Sequence, residues 1–174
     1  MFTGFLLLSL FTPADLPPPE LEKVKIENLW HEKYQKTVLR DLGNGETNWL
    51  ALKDKVVVVN LWATWCHYCV AELPSFENLY KKFENEDWIV FAFVSEENQR
   101  TLNKFLKKKY YYLPICTVNG KLPLITHNDS HNGGGIPSTY ILIPDSNDVY
   151  HFVGAAKWDD DKVIEFLNSL KPSK

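Results

Sequence analysis

The stretch that most limits what this chain can become is Val56-Val57-Val58-Val59-Asn60-Leu61-Trp62-Ala63-Thr64-Trp65-Cys66-His67-Tyr68-Cys69. It opens with four consecutive β-branched residues, bounded by the charged pair Asp54-Lys55. A continuous apolar run suits a strand covered on both faces, because a half-exposed strand alternates polar with apolar. Beyond it Val70, Leu73, Phe76, Leu79, Tyr80 and Phe83 recur at steps of three and four, the period of a helix with one buried face. The two cysteines therefore fall at a strand-to-helix junction. The first turn of a helix presents unpaired N–H groups and the positive end of the macrodipole, and both favour a thiolate over a thiol. Cys66 is placed to be a nucleophile.

The rest of the chain supplies partners for that strand and helix. Thr37 to Arg40 and Glu46 to Trp49 flank the turn-rich Asp41-Leu42-Gly43-Asn44-Gly45 and read as a short hairpin, followed by a helical turn at Trp49–Leu52. Trp88 to Ser95 is a second near-continuous apolar run, and Asn98 to Lys108 reads as a crossover helix. Tyr112 to Val118 is strand-like, Asn119 to Gly135 is loop-like, and Ile136 to Ile143 is a strand headed by Pro137, where a missing N–H is tolerated. A turn at Asp145–Asp148, a returning strand at Val149–Val153 and a last helix begun by Asp159-Asp160-Asp161 complete the order. Strand, helix, strand, helix predicts an α/β fold with a mostly parallel sheet and right-handed crossovers.

The totals narrow the partners. With 174 residues and 45% hydrophobic composition the chain has enough apolar surface for one packed core. A formal charge of −3 gives no basic field for phosphate backbones, which argues against nucleic acid. Lys107-Lys108-Lys109 is the one basic run, and its position at the end of a helical pattern suits cations at a helix C-terminus. Three cysteines do not make a disulfide scaffold, and Cys116, in an apolar run, reads as a buried small hydrophobe. A metal site would draw on these cysteines and on His67, His127 and His131. Structural zinc, however, asks for two close ligand pairs and the chain has one, so no metal is expected.

At the amino end, residues 2–11 are apolar, too short to span a bilayer but suited to the core of a secretory signal, with Thr12-Pro13-Ala14 before a possible cut. No Lys or Arg precedes them, so an uncleaved tail stays open as the other reading. The expected organisation is a leader at 1–14, a Pro-rich and charged spacer at 15–36 that Trp30 and Tyr34 could dock, and a domain at 37–171.

Trp62-Ala63-Thr64-Trp65-Cys66-His67-Tyr68-Cys69 resembles the signature of the thioredoxin superfamily, and Cys69-Val70-Ala71-Glu72-Leu73-Pro74 resembles its extracytoplasmic TlpA/ResA branch of thiol-disulfide oxidoreductases. The resemblance implies a thioredoxin fold: a central mixed sheet flanked by helices, with an added N-terminal β-hairpin. It implies exchange of a Cys66–Cys69 dithiol/disulfide with protein thiols or disulfides, such as an apocytochrome, with no further cofactor and a separate thiol donor. The location it implies is extracytoplasmic and periplasmic, or cytoplasmic should the leader not be a signal. Cys69, three residues along the same helix face, is expected to be the more buried thiol and to resolve the mixed disulfide.

Around that pair the resemblance places Trp65, His67, Tyr68, Ile136 and Pro137 against substrate, with the Ile136–Pro137 bond cis in the family and the Ile136 backbone free to pair with a peptide. Glu72 matches an active-site glutamate that would shuttle the proton of Cys69, while a surface helix glutamate is the other reading. Asn60 stands where thioredoxin proper has a buried aspartate, and an amide cannot take that role. His67 beside Cys66 would push the pair toward an oxidant, whereas the branch implies a reductase. A redox-inert peptide-binding module is the remaining alternative. Pro74 and Trp62 read as structural.

Overall fold

The computed structural model describes residues 16–43, 45–124 and 135–172. The expected leader, Asn44, His127 and His131 lie outside the described residues. Eight strands, β1 (Glu22–Lys25), β2 (Val38–Asp41), β3 (Glu46–Asn48), β4 (Val56–Leu61), β5 (Ile89–Ser95), β6 (Ile115–Asn119), β7 (Ser138–Leu142) and β8 (Asp148–Val153), form one sheet in the order β1-β8-β7-β4-β5-β6-β2-β3. Among the described residues three α-helices, α1 (His67–Phe83), α2 (Gln99–Leu106) and α3 (Asp161–Ser169), flank it, with short 3-10 turns at Glu32–Tyr34 and Trp49–Leu52.

Every residue of β4 is buried, as its unbroken apolar run requires. Val56 and Val58 face a layer holding Leu73, Phe76 and Leu79 of α1, Leu102 of α2, and Val163 and Leu167 of α3. Val57, Val59 and Leu61 face a second layer with Leu29, Trp49, Leu52, Leu122 and Leu124. Asn60 is the polar interruption and points with the even-numbered positions, toward the helices.

Phe76 is fully buried, stacked on Trp158 with centroids 4.6 Å apart and edge-on to Phe93 at 5.0 Å. Truncation of a buried phenylalanine of this kind costs about 3–5 kcal/mol. Pro74 lies within α1, as expected, and each helix opens on a side chain that caps its first turn: Cys66, Asn98 and Asp160.

The sheet is mixed, as the resemblance implies, and not the mostly parallel one that alternating strands and helices alone suggest: only β4–β5 and β5–β6 run parallel, because the hairpin β2–β3 and the returning β7 and β8 all pair antiparallel. From Leu16 onward the segment 15–36 packs against the domain, Trp30 docking it as expected. Its residues Glu22–Lys25 extend the sheet against β8, Leu29 is fully buried, and Trp30 stacks on Trp49 at 5.5 Å while its Nε1 donates to the Ser146 carbonyl at 2.8 Å. A short, charged edge strand carries little hydrophobic signal, so its pairing could not be read locally. The hairpin is as expected, with Val38 opposite Asn48 and β2 laid along β6.

Candidate active site

Cys66 is the N-cap of α1, with extended backbone (φ −81°, ψ 104°), and its sulfur accepts from the Cys69 N–H at 3.1 Å. Strand β4 ends at Leu61, the Trp62 N–H is held by the Val94 carbonyl at 3.1 Å, and the turn through Ala63 and Thr64 delivers the cysteines to the helix. Cys66 and Cys69 are joined in a disulfide with Cα atoms 5.2 Å apart. Cys66 is 7% exposed and Cys69 fully buried, so the expected order of exposure holds, although Cys66 is more covered than a helix tip suggests. Its sulfur lies 3.7 Å from the Ile136 carbonyl oxygen. The Ile136–Pro137 peptide is cis, an isomer the sequence alone leaves open.

Trp65 and Tyr68 stand out from the surface at 66% and 62% exposure, and the exposed His67 ring meets Tyr68 edge-on at 6.0 Å. Trp62 is buried, with its indole N–H donated to the Phe93 carbonyl at 3.3 Å. Cys66, Cys69, Ile136 and Pro137 thus converge, with Trp65, His67 and Tyr68 beside the disulfide in the chain.

Glu72 is fully buried, which removes the surface reading. Oε2 accepts from the Trp158 indole Nε1 at 2.8 Å and the Ala156 N–H at 3.1 Å, and Oε1 accepts from Asn60 Nδ2 at 2.9 Å. Burial pushes its carboxyl up to about 8, against the pull of these three hydrogen bonds in the order Trp158, Ala156, Asn60. One helical turn below Cys69, it is a buried acid that gains or loses a proton near neutral pH.

Trp158, Ala156 and Glu97 were not legible as site residues. Glu97 accepts from the Thr64 N–H at 2.6 Å and the Thr64 hydroxyl at 2.8 Å, and so holds the turn that presents Trp65 and Cys66. A lone glutamate after a strand carries no motif. Trp158 adjoins a run of aspartates that reads only as a helix start. Cys116 is buried with its thiol pushed up to about 12, first by burial and then by Asp41, and its S–H donates to the Pro114 carbonyl at 3.3 Å. It belongs to the core layer opposite the redox pair. Among the described residues no group of His, Cys, Asp and Glu is arranged to hold a metal ion, and no helix is long and apolar enough to cross a membrane.

A thioredoxin-type sheet with a C-x-x-C disulfide at a helix N-terminus, beside a proline that heads the neighbouring strand, defines a thiol-disulfide exchange protein. The Redoxin family model matches residues 31–165. Thiol-disulfide oxidoreductase ResA of Bacillus subtilis is 25% identical over 137 residues, covering 79% of this chain and 73% of that protein. Among solved structures, a thiol:disulfide interchange protein of the thioredoxin family from Chlorobium tepidum matches with TM-score 0.56 and 20% identity, covering 87% of this chain and 96% of that one. StoA from Bacillus subtilis matches with TM-score 0.52 and 17% identity over 70% and 90% of the respective chains. The chain belongs to the Redoxin family, on the ResA/TlpA-like side of the thioredoxin superfamily, and is a thiol-disulfide oxidoreductase.

Proposed function

We propose that the protein is an extracytoplasmic reductase of protein disulfides, with Cys66 as the attacking thiol, Cys69 as the resolving thiol and Glu72 as the acid and base that serves Cys69. The observation that carries this reading is the fully buried Glu72, held by Trp158, Ala156 and Asn60 and raised to about 8, one helical turn from Cys69.

The Cys66 thiolate attacks a substrate disulfide, forming a mixed disulfide and releasing one substrate thiolate, which takes a proton from water. Cys69 gives its proton to the Glu72 carboxylate and attacks the Cys66 sulfur, closing the Cys66–Cys69 bond and releasing the second substrate thiolate. Two electrons have then passed from the protein to the substrate. A donor dithiol restores the pair by attacking Cys66. Glu72, protonated in the oxidised protein at neutral pH, protonates the departing Cys69 thiolate. Trp65, His67, Tyr68, Ile136 and Pro137 provide the substrate surface, and secreted thiol proteins such as an apocytochrome are the substrate class. No cofactor beyond the disulfide takes part.

The ResA relatives support thiol-disulfide exchange, the branch resemblance implies the reductase direction, and the apolar residues 2–11 support export. The exposed His67 is screened by water, which weakens the case for an oxidant. Equilibration of the Cys66–Cys69 pair against defined thiol couples tests the proposal. A reduction potential near that of thioredoxin, about −270 mV, is expected, and one near that of DsbA, about −120 mV, would overturn the direction.

A further inference from the structure

The two oxygens of Glu72 are not equivalent. Oε2 receives two N–H donors, from Trp158 at 2.8 Å and Ala156 at 3.1 Å, and neither group can accept a hydrogen bond. Two donors are as many as the two lone pairs of a carboxylate oxygen take, so a proton arriving there would have to displace one of them. Oε1 receives one donor, Asn60 Nδ2 at 2.9 Å.

Asn60 differs in kind from the other partners, because a primary amide carries a donor and an acceptor on one plane that can turn about its χ2 bond. Its Nδ2 also donates to Thr139 Oγ1 at 3.0 Å, and its Oδ1 is buried with no hydrogen-bond partner among the described residues. Buried acceptors without donors are rare and call for an explanation. The backbone of Asn60 is fixed, paired with Thr139 on β7 and Phe93 on β5, so the freedom that remains is in the side chain.

We propose that Glu72 carries its proton on Oε1 and that Asn60 is the positioning residue that answers to it, nitrogen-first toward the carboxylate and oxygen-first toward the acid. In the acid form the amide turns, and the now-unpartnered Oδ1 accepts from the Glu72 hydroxyl. The Thr139 hydroxyl, donor or acceptor as required, turns with it. Among the described residues the groups that bond Glu72 are Asn60 from β4, with Thr139 of β7 behind it, and Ala156 and Trp158 from the connection between β8 and α3. On its own helix Cys69 lies one turn away and, held in the disulfide, does not titrate. The inference deepens the reading of Glu72 as proton carrier and rests on it only in that Glu72 takes up a proton.

The test is a pH titration of the full oxidised chain by NMR, following the Glu72 side-chain carboxyl carbon, the Asn60 side-chain NH2 and the Trp158 indole N–H. The expected result is that the Asn60 signals move with the midpoint of Glu72 while the Trp158 proton stays in its hydrogen-bonded position on both sides of it. A Glu72→Gln variant abolishes the Asn60 movement. Movement of the Trp158 proton with a stationary Asn60 would put the proton on Oε2 and overturn the proposal. So would an Asn60 titration that survives in E72Q, or a Glu72 carbon with no step between pH 4 and 10. No thiol exchange occurs in this experiment, so its outcome is separate from that of the reduction-potential measurement.

Discussion

The Trp158 indole N–H donates to Oε2 of Glu72 at 2.8 Å, joining residues 86 positions apart and tying the connection before α3 to the acid below the redox pair. This donor favours the carboxylate, since an indole N–H gains more from an anion than from a neutral acid. Trp158→Phe keeps the stack on Phe76 and removes the donor. A hydrogen bond to a charged group contributes roughly 1.5–3 kcal/mol, so the Glu72 midpoint should rise from about 8 by roughly 1–2 pH units, read on its carboxyl carbon.

Stability should fall with rising pH over a window set by the same group. The carboxyl has an ordinary value of 4.5 and stands at about 8 in the folded chain, so between these values the folded state binds more protons than the unfolded one. The contribution of Glu72 is therefore most favourable below 4.5, declines through the interval and levels off above 8. At roughly 1.4 kcal/mol per unit the ceiling is about 5 kcal/mol. Glu72→Gln should flatten this slope in urea unfolding measured from pH 5 to 9, with the gain over the parent largest at the alkaline end.

The two cysteines should separate cleanly. Cys69→Ser leaves the attacking thiol without its resolver, so a mixed disulfide with substrate accumulates and is seen on a non-reducing gel or as an adduct mass. Cys66→Ser forms no adduct, and turnover of a protein disulfide by either variant should drop by about 1,000-fold or more.

Cys116 should behave as a bystander. Its thiol is buried and pushed up to about 12, so thiolate is scarce at neutral pH. A thiol reagent added to the reduced folded protein should react first at Cys66, with Cys116 appearing only on unfolding, and Cys116→Ala should leave the exchange rate unchanged.

Glu97 should matter through the turn it holds. Glu97→Gln keeps the size and gives up one acceptor for Thr64, whose N–H and hydroxyl are both bound by the carboxylate. Loss of about 1–2 kcal/mol in urea unfolding is expected, together with slower exchange, because Thr64 leads directly into Trp65 and Cys66.

What the sequence by itself determined is the machinery whose signals are local. Four β-branched residues in a row require a strand covered on both faces, apolar steps of three and four require a one-faced helix, and their junction places Cys66 at a helix cap. The C-x-x-C with its tryptophan also sufficed for the superfamily. Only the tertiary structure decided that Glu72 is an interior acid, because a helix glutamate is buried or exposed according to what covers it, and here Asn60, Ala156 and Trp158 come from other elements. The same holds for β1, whose charged residues gain their place through the backbone of β8, and for Thr64, whose clasp by Glu97 spans 33 positions. Periodicity reports how one element meets a surface. It cannot report which donors from distant parts of the chain arrive at a given oxygen, and here those donors determine where the proton resides.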